Sequence, residues 1–351
     1  MKLPRFGVWA PVYGNWGSRH HPQDPFDASY ARTRATILQA EALGFDSTLI
    51  AQHIVNPNGQ DLDQLETWTT AAALAEATEK IEIIAAIKPL LFHPAVIAKM
   101  SLNIDAISRG RFAINLVSAW FKTELEKAGI PFPDHDDRYR YSTEWLQVVK
   151  ALWTGERVTK QGEFFQISDL SFRPQPTTSP YPRIYLGGES DPARQLAAAE
   201  ADVFFINGRP LPEVQAIIQD VSRRQRHGKP RLKFALAAFV IARPTSSEAE
   251  VDLDLQLARS VQEDRSFFVE GADPKAVMLK LRQKYRFVGT NGGTAAGLVG
   301  SYDTVAERIL RFADIGIETF MLQFQPLTAE MIRFAQEVIP RVQRLQALAH
   351  V

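Results

Sequence analysis

The sequence predicts one closed (β/α)8 barrel, an α/β TIM barrel. Short apolar, β-branched runs alternate with longer stretches of helical period, and the alternation repeats eight times along 351 residues. No Gly/Ser-rich or Pro-rich linker divides the chain. An open doubly wound sheet is the runner-up. Residues 1–351 are therefore read as one domain with insertions at about 153–182 and 258–298.

Residues 6–12 form the first strand. A helix follows in which Ala31, Ala35, Leu38 and Ala42 share one face, Gly44 stands at the expected C-cap, and 45–50 is the second strand. That connection is a βαβ crossover, because parallel neighbours need a long return path. The unit recurs. Helix 65–78 leads to strand 81–87, helix 94–107 to strand 112–117, and helix 141–152 to strand 183–186. Helix 192–200 precedes strand 203–206, helix 212–226 precedes strand 233–242, and helix 303–315 precedes strand 319–322. A terminal helix runs through Phe334, Val338, Val342 and Leu345. The first insertion carries strand-like patches at 157–160 and 163–167, and both insertions are expected to cover an active site, since long loops are usually functional.

Composition narrows the function. Forty basic against forty acidic side chains leave no net charge to hold a nucleic acid or an anionic membrane. The absence of cysteine excludes disulfides, thiolate catalysis and Cys-ligated metal. The longest apolar run, 234–242, is far shorter than the ~20 residues of a membrane helix, and Pro4 and Pro11 interrupt any signal-peptide core. A soluble, cytoplasmic protein is expected, with no nucleic-acid or membrane partner.

Four groups of residues could carry chemistry. Gly187-Gly188-Glu189-Ser190-Asp191-Pro192 follows the fifth strand and opens a helix, so free N–H groups and the helix end could face an anion. It could equally be a plain turn with Ser190 or Asp191 as N-cap and Pro192 in the first turn. Asn115-Leu-Val-Ser-Ala-Trp120 places an amide, a hydroxyl and an indole at the barrel mouth, which suits a flat heteroaromatic ligand, and Glu124 follows shortly. The competing role for Asn115 and Trp120 is local satisfaction and packing. His53, at the end of the second strand, could shuttle a proton or serve structure alone. Asp134-His-Asp-Asp-Arg-Tyr-Arg-Tyr141 lacks metal-ligand spacing, and its acids suit a helix N-terminus. His20 and His21 share no helix face, and Arg223-Arg-Gln-Arg-His-Gly-Lys-Pro-Arg231 reads as cations complementing a helix end. No Gly-x-Gly-x-x-Gly or P-loop pattern occurs, so nicotinamide dinucleotide binding has no support.

Several motifs in order carry a resemblance: Ile104-Asp-Ala-Ile-Ser-Arg-Gly-Arg-Phe-Ala-Ile-Asn-Leu-Val-Ser-Ala-Trp120, His135-Asp-Asp-Arg-Tyr139, Tyr185-Leu-Gly-Gly-Glu-Ser190, Phe239-Val-Ile-Ala-Arg243 and Leu298-Val-Gly-Ser-Tyr-Asp-Thr-Val-Ala-Glu-Arg308. Nearly the whole chain resembles the bacterial luciferase-like flavin monooxygenases. It is similar to the branch holding dimethylsulfone monooxygenase, alkanesulfonate monooxygenase and pyrimidine oxygenase. The resemblance implies reduced FMN over the barrel mouth, supplied by a separate NAD(P)H:FMN reductase, reacting with O2 to a flavin peroxide that oxidises a small organosulfur compound. It implies cofactor contacts from Gln52, His53, Asn115, Glu124, Arg138, Tyr139, Gly188, Glu189 and Ser190, with His53, Asn115 and Trp120 catalytic. Trp9, Tyr13, Trp16 and Trp120 would shield the site. Trp9, Tyr13, Phe239, Asn291 and Gln325 would meet substrate, and the assembly would be a homodimer or homotetramer.

Ala237 and Phe239 stand where alkanesulfonate monooxygenases carry an Arg and a His, Asn291 where they carry an Arg, and Gln325 where a Tyr is usual. A neutral substrate such as dimethyl sulfone is therefore expected; if the substrate is a sulfonate, an unplaced arginine such as Arg286 would have to close on it. The alternatives are a pyrimidine or other heterocycle oxygenase, a deazaflavin (F420)-dependent dehydrogenase, and a flavin-binding protein without turnover.

Overall fold

The computed structural model describes residues 3–226 and 228–348, so His227 of the basic run lies outside the described residues. Eight parallel strands close a barrel: β1 (Arg5–Trp9), β2 (Ser47–Ile50), β3 (Glu82–Ile87), β4 (Phe112–Val117), β5 (Arg183–Gly187), β6 (Val203–Ile206), β7 (Lys233–Phe239) and β8 (Ile317–Gln323). Each strand pairs with its neighbours in chain order, and β8 returns to β1. Strands buried on both faces need continuous apolar runs, and β3, Glu-Ile-Ile-Ala-Ala-Ile, is buried at all six positions.

The two ends of the barrel differ. At the N-terminal end Glu82 accepts from the Tyr185 hydroxyl at 3.0 Å and pairs with Arg5 at 3.0 Å and Arg183 at 2.5 Å. This ionic plug gathers the starts of β1, β3 and β5. The open end is left at the strands' C-termini, where barrel enzymes place their sites.

Four expectations need correction. The helix Tyr30–Ala42 buries Thr33, Thr36, Ile37 and Ala40, while Ala31, Ala35 and Ala42 are exposed. Alanine is the best helix former but has little surface to bury, so its periodicity marks a helix without marking its inner face. The expected strand 233–242 is two. β7 ends at Phe239, the Val240 N–H donates to the Gln323 carbonyl, and Ile241–Arg243 pairs with Val299–Ser301 outside the barrel. The helix expected at 141–152 begins at His135, which makes Asp136 and Asp137 its first turn.

The fourth correction concerns the insertions. Residues 153–182 form an antiparallel hairpin, Val158–Gln161 with Gln166–Leu170. It follows a helix and not a strand, so it leaves from the barrel's closed end and folds back along the helix His135–Trp153. There Glu144 accepts the N–H groups of Phe164 and Phe165 at 3.1 and 2.9 Å, and both rings pack on Tyr141. It does not line the main cavity. The segment 258–298 does cover the mouth, with helices Ser266–Gly271 and Val277–Lys284 and a bridge between Phe121 and Ala272. No helix among the described residues is long and apolar enough to cross a membrane.

Candidate active site

One deep cavity opens at the C-terminal ends of the strands. Its wall is built from Trp9 of β1, Gln52 and His53 after β2, Lys88 after β3, Asn115 to Trp120 at the end of β4, Gly187 to Ser190 after β5 and Asn207 after β6. The helix His135–Trp153 adds Arg138 and Tyr139, and the cover adds Phe268, Arg282 and Asn291.

The turn after β5 needs its glycine. Gly188 has φ +124°, and a Cβ there would stand 3.1 Å from the Tyr139 hydroxyl and 3.3 Å from Ala193. Ser190 caps the helix Asp191–Glu200, its Oγ accepting the Ala193 N–H at 3.4 Å, and Pro192 lies in the first turn. The turn is thus a helix cap that also faces the cavity. Burial raises the Tyr139 hydroxyl pKa while Ser190 beside it lowers it, so at neutral pH the phenol keeps its proton and can donate. The Glu189 carboxylate turns away from the turn's free N–H groups, accepting the Asn207 N–H at 2.7 Å and pairing with Arg209. A carboxylate spent in this way does not repel an anion at the turn.

Beneath the opposite wall lies a buried ionic cluster. The Lys88 ammonium contacts Glu124 and stands 3.1 Å from His53 Nδ1, and Glu124 accepts the Ile54 N–H at 3.0 Å. Burial lowers the Lys88 ammonium, and the carboxylate in direct contact opposes that shift. Burial and then the Lys88 charge hold His53 well below its ordinary value, so the ring is neutral. Nδ1 faces two groups, the Lys88 ammonium at 3.1 Å, from which it can accept, and the Glu124 carboxylate at 3.3 Å, to which it can donate, and Nε2 takes the complementary role. Glu124 supports His53 from behind and does not line the cavity. Gln52 Oε1 accepts the Lys88 N–H at 2.5 Å, which ties the ends of β2 and β3.

Trp120 packs on Phe268 of the cover at 5.1 Å and meets His53 edge-on at 5.7 Å. Ala119 before it has φ +50°, and Asn291 has φ +51°. Two non-glycine residues in the left-handed region border the same cavity, where strain is commonly stored. Five buried polar atoms of its lining residues have no partner, Asn15 Oδ1 and Arg282 Nε as well as Asn115 Oδ1, Trp9 Nε1 and Trp16 Nε1, the last three being one acceptor and two donors. One acceptor and two donors in an aromatic pocket match the edge of a flat heterocycle, and the glycine turn matches its anionic tail.

Other expected residues fall elsewhere. Phe239 is wholly buried below Gly289, and Gln325 clamps the chain at Ser18, donating to its carbonyl and accepting its N–H at 2.8 Å each; neither lines the cavity. Their strand ends reach the mouth, but the side chains point under the cover and under the loop after β1. Arg138 lines the wall, but its guanidinium is occupied by the Pro133 carbonyl at 2.7 Å, the Ser118 carbonyl at 3.3 Å and Asp273. Arg286 is exposed and outside the lining. Sequence reading missed Lys88, Asn207, Asp273, Arg265 and Arg282, while the Ser118 hydroxyl it did place at the mouth lines the cavity. Lys88, a charge ending an apolar strand, was the detectable one. The others gain their position from folding of the cover or of the loops.

Residues 4–319 match the family model described as luciferase-like monooxygenase. The FMNH2-dependent dimethylsulfone monooxygenase of Pseudomonas putida is 32 % identical over 351 residues, covering 97 % of this chain and 96 % of its own. The protein of the same name from Pseudomonas fluorescens (strain Pf0-1) is 30 % identical over 354 residues, covering 98 % and 96 %. The crystal structure of a long-chain alkane monooxygenase shares the fold, with a TM-score of 0.82 at 18 % identity over 99 % of this chain and 92 % of that one. With its closed barrel, its covered mouth and these matches along nearly its full length, the chain belongs to the luciferase-like monooxygenase family.

Proposed function

We propose that the protein is an FMNH2-dependent, O2-using monooxygenase of a two-component system, acting on a small organosulfur compound. The observation that carries this is the pairing, in one cavity, of a glycine-and-serine turn suited to a phosphate with three unpartnered polar atoms suited to a heterocycle edge. The names of the two Pseudomonas relatives supply the sulfone as the substrate class. Reduced FMN, when bound, supplies the electrons that activate O2 for transfer of one oxygen atom to substrate.

The chain's own residues do the rest. Ser190, the N–H groups of the Gly188 turn and the Tyr139 hydroxyl receive the phosphate. Asn115 and the indole N–H groups orient the heterocycle. His53 stands on the cavity wall as a neutral ring at neutral pH, its Nδ1 held between Lys88 and Glu124. Trp9, Tyr13, Trp16 and Trp120 line the site with apolar surface and exclude water. The absence of a dinucleotide fingerprint supports a separate NAD(P)H:FMN reductase as electron source, and the family resemblance supports a homodimer or homotetramer.

Anaerobic titration with reduced FMN, followed by oxygen uptake with a flavin reductase and dimethyl sulfone, tests the reading. Saturable binding and sulfone-dependent oxygen consumption are expected. Oxidation of NADPH by the pure protein without flavin or reductase would overturn it.

A further inference from the structure

The charges of the cavity do not balance. Arg19 is matched by Glu263 at 2.7 Å, Arg138 by Asp273, Lys88 by Glu124 and Glu189 by Arg209, while Lys275, which faces Asp136, and Asp264, which accepts the Ser266 N–H at 2.9 Å, are exposed. Arg265 and Arg282, both on the cover and both lining the cavity, form no ion pair among the described residues. Glu263 attracts Arg265 at longer range but is already bonded to Arg19 and Ser18. The Arg282 guanidinium lies between the rings of Phe268 and Phe287 at 5.3 and 4.9 Å and donates once, to the Gly289 carbonyl at 3.1 Å. Its Nε is buried with no acceptor. Burial and the like charge of Arg265 lower the Arg282 guanidinium to about 9, so it remains cationic at neutral pH.

We propose that Arg265 and Arg282 form an oxyanion subsite in the cover that takes the sulfinate or sulfonate group of a small organosulfur molecule. Two guanidiniums lining one cavity without a bonded counter-ion are costly to bury unless an anion joins them, and planar N–H forks suit two- or three-oxygen anions. The flavin phosphate is not that anion. Its turn follows β5, whereas Arg282 faces Tyr13 after β1, and in a closed ring of eight strands β1 and β5 lie opposite. The expectation of a neutral substrate rested on Ala237, Phe239, Asn291 and Gln325, of which Asn291 alone lines the cavity. Phe239 is buried away from the cavity, and the cover supplies the charge instead.

This inference rests on the monooxygenase reading, and its test is separable from it. The flavin-free full chain is titrated at constant ionic strength with methanesulfinate, methanesulfonate and dimethyl sulfone, with tryptophan fluorescence as the signal. The anions are expected to bind at least about tenfold more tightly than the sulfone, and Arg282→Met and Arg265→Met each to weaken them about tenfold or more while leaving the sulfone unchanged. Turnover of an anion with reduced FMN identifies it as substrate; inhibition competitive with the sulfone, without turnover, identifies it as product. Either result supports the subsite. Anions that bind no better than the sulfone, or that bind both variants as tightly as wild type with circular dichroism preserved, overturn it. Failure of the flavin reading would appear differently, as intact anion titration without reduced FMN binding.

Discussion

Arg138, in the second turn-forming segment of the helix after β4, pairs with Asp273 of the cover, and this buried ion pair fastens the barrel wall to the segment that closes its mouth. The same guanidinium lies 4.1 Å from the Phe132 ring and holds the Pro133 and Ser118 carbonyls. Arg138→Met leaves Asp273 buried beside lost donors, which should cost about 3 kcal/mol and weaken reduced FMN binding by loosening the cover. Urea unfolding and flavin titration check both effects, and wild-type values in each would remove the link between latch and site.

The latch also sets an acid response. Burial alone would raise the Asp273 carboxyl, but the Lys275 N–H and the Arg138 guanidinium hold it below the usual carboxylate range. A depressed folded value gives stability that is complete above the unfolded pKa of about 3.9 and is lost as pH falls through the folded value. Protease sensitivity of the cover should therefore rise below about pH 4. Asp273→Asn should flatten that dependence, and an unchanged profile would place the acid response in other carboxylates.

Lys88 should govern the protonation of His53. The wild-type ring is expected to stay neutral well below pH 6.5, because burial first and the Lys88 charge second disfavour the imidazolium. Lys88→Met removes that charge and leaves Glu124 facing the ring, so the His53 pKa should rise. Nitrogen NMR of the imidazole reports both tautomer and titration. A wild-type ring that titrates near pH 6.5, or a pKa that does not move in the variant, would contradict the arrangement.

Ser190→Asp puts a carboxylate where an anion is to be received. Repulsion and loss of the hydroxyl donor should weaken reduced FMN by about 1–3 kcal/mol, roughly tenfold to a hundredfold in Kd. Aspartate is itself a good N-cap, so the helix Asp191–Glu200 should survive and thermal stability change little. An unaltered Kd would move the phosphate elsewhere in the cavity.

Much of this molecule was legible in its residues. The eight strands follow from apolar runs such as 82–87 and 112–117, because a strand buried on both faces leaves a continuous hydrophobic signature. The turn Gly187 to Ser190 was equally local, since a positive φ and an N-cap are written in a few adjacent residues. His53, Asn115 and Trp120 were placed at the mouth by their position at strand ends alone. Tertiary structure decided which way the neighbours face. Phe239 and Gln325 end β7 and follow β8 yet point away from the cavity, while Arg265 and Arg282 reach it from a segment with no motif. Local propensity sets whether a residue lies in a strand, a helix or a turn; the direction of its side chain and the charge it meets depend on contacts between segments far apart in the chain. For that reason the barrel could be read from the sequence, and the charge lining its cavity could not.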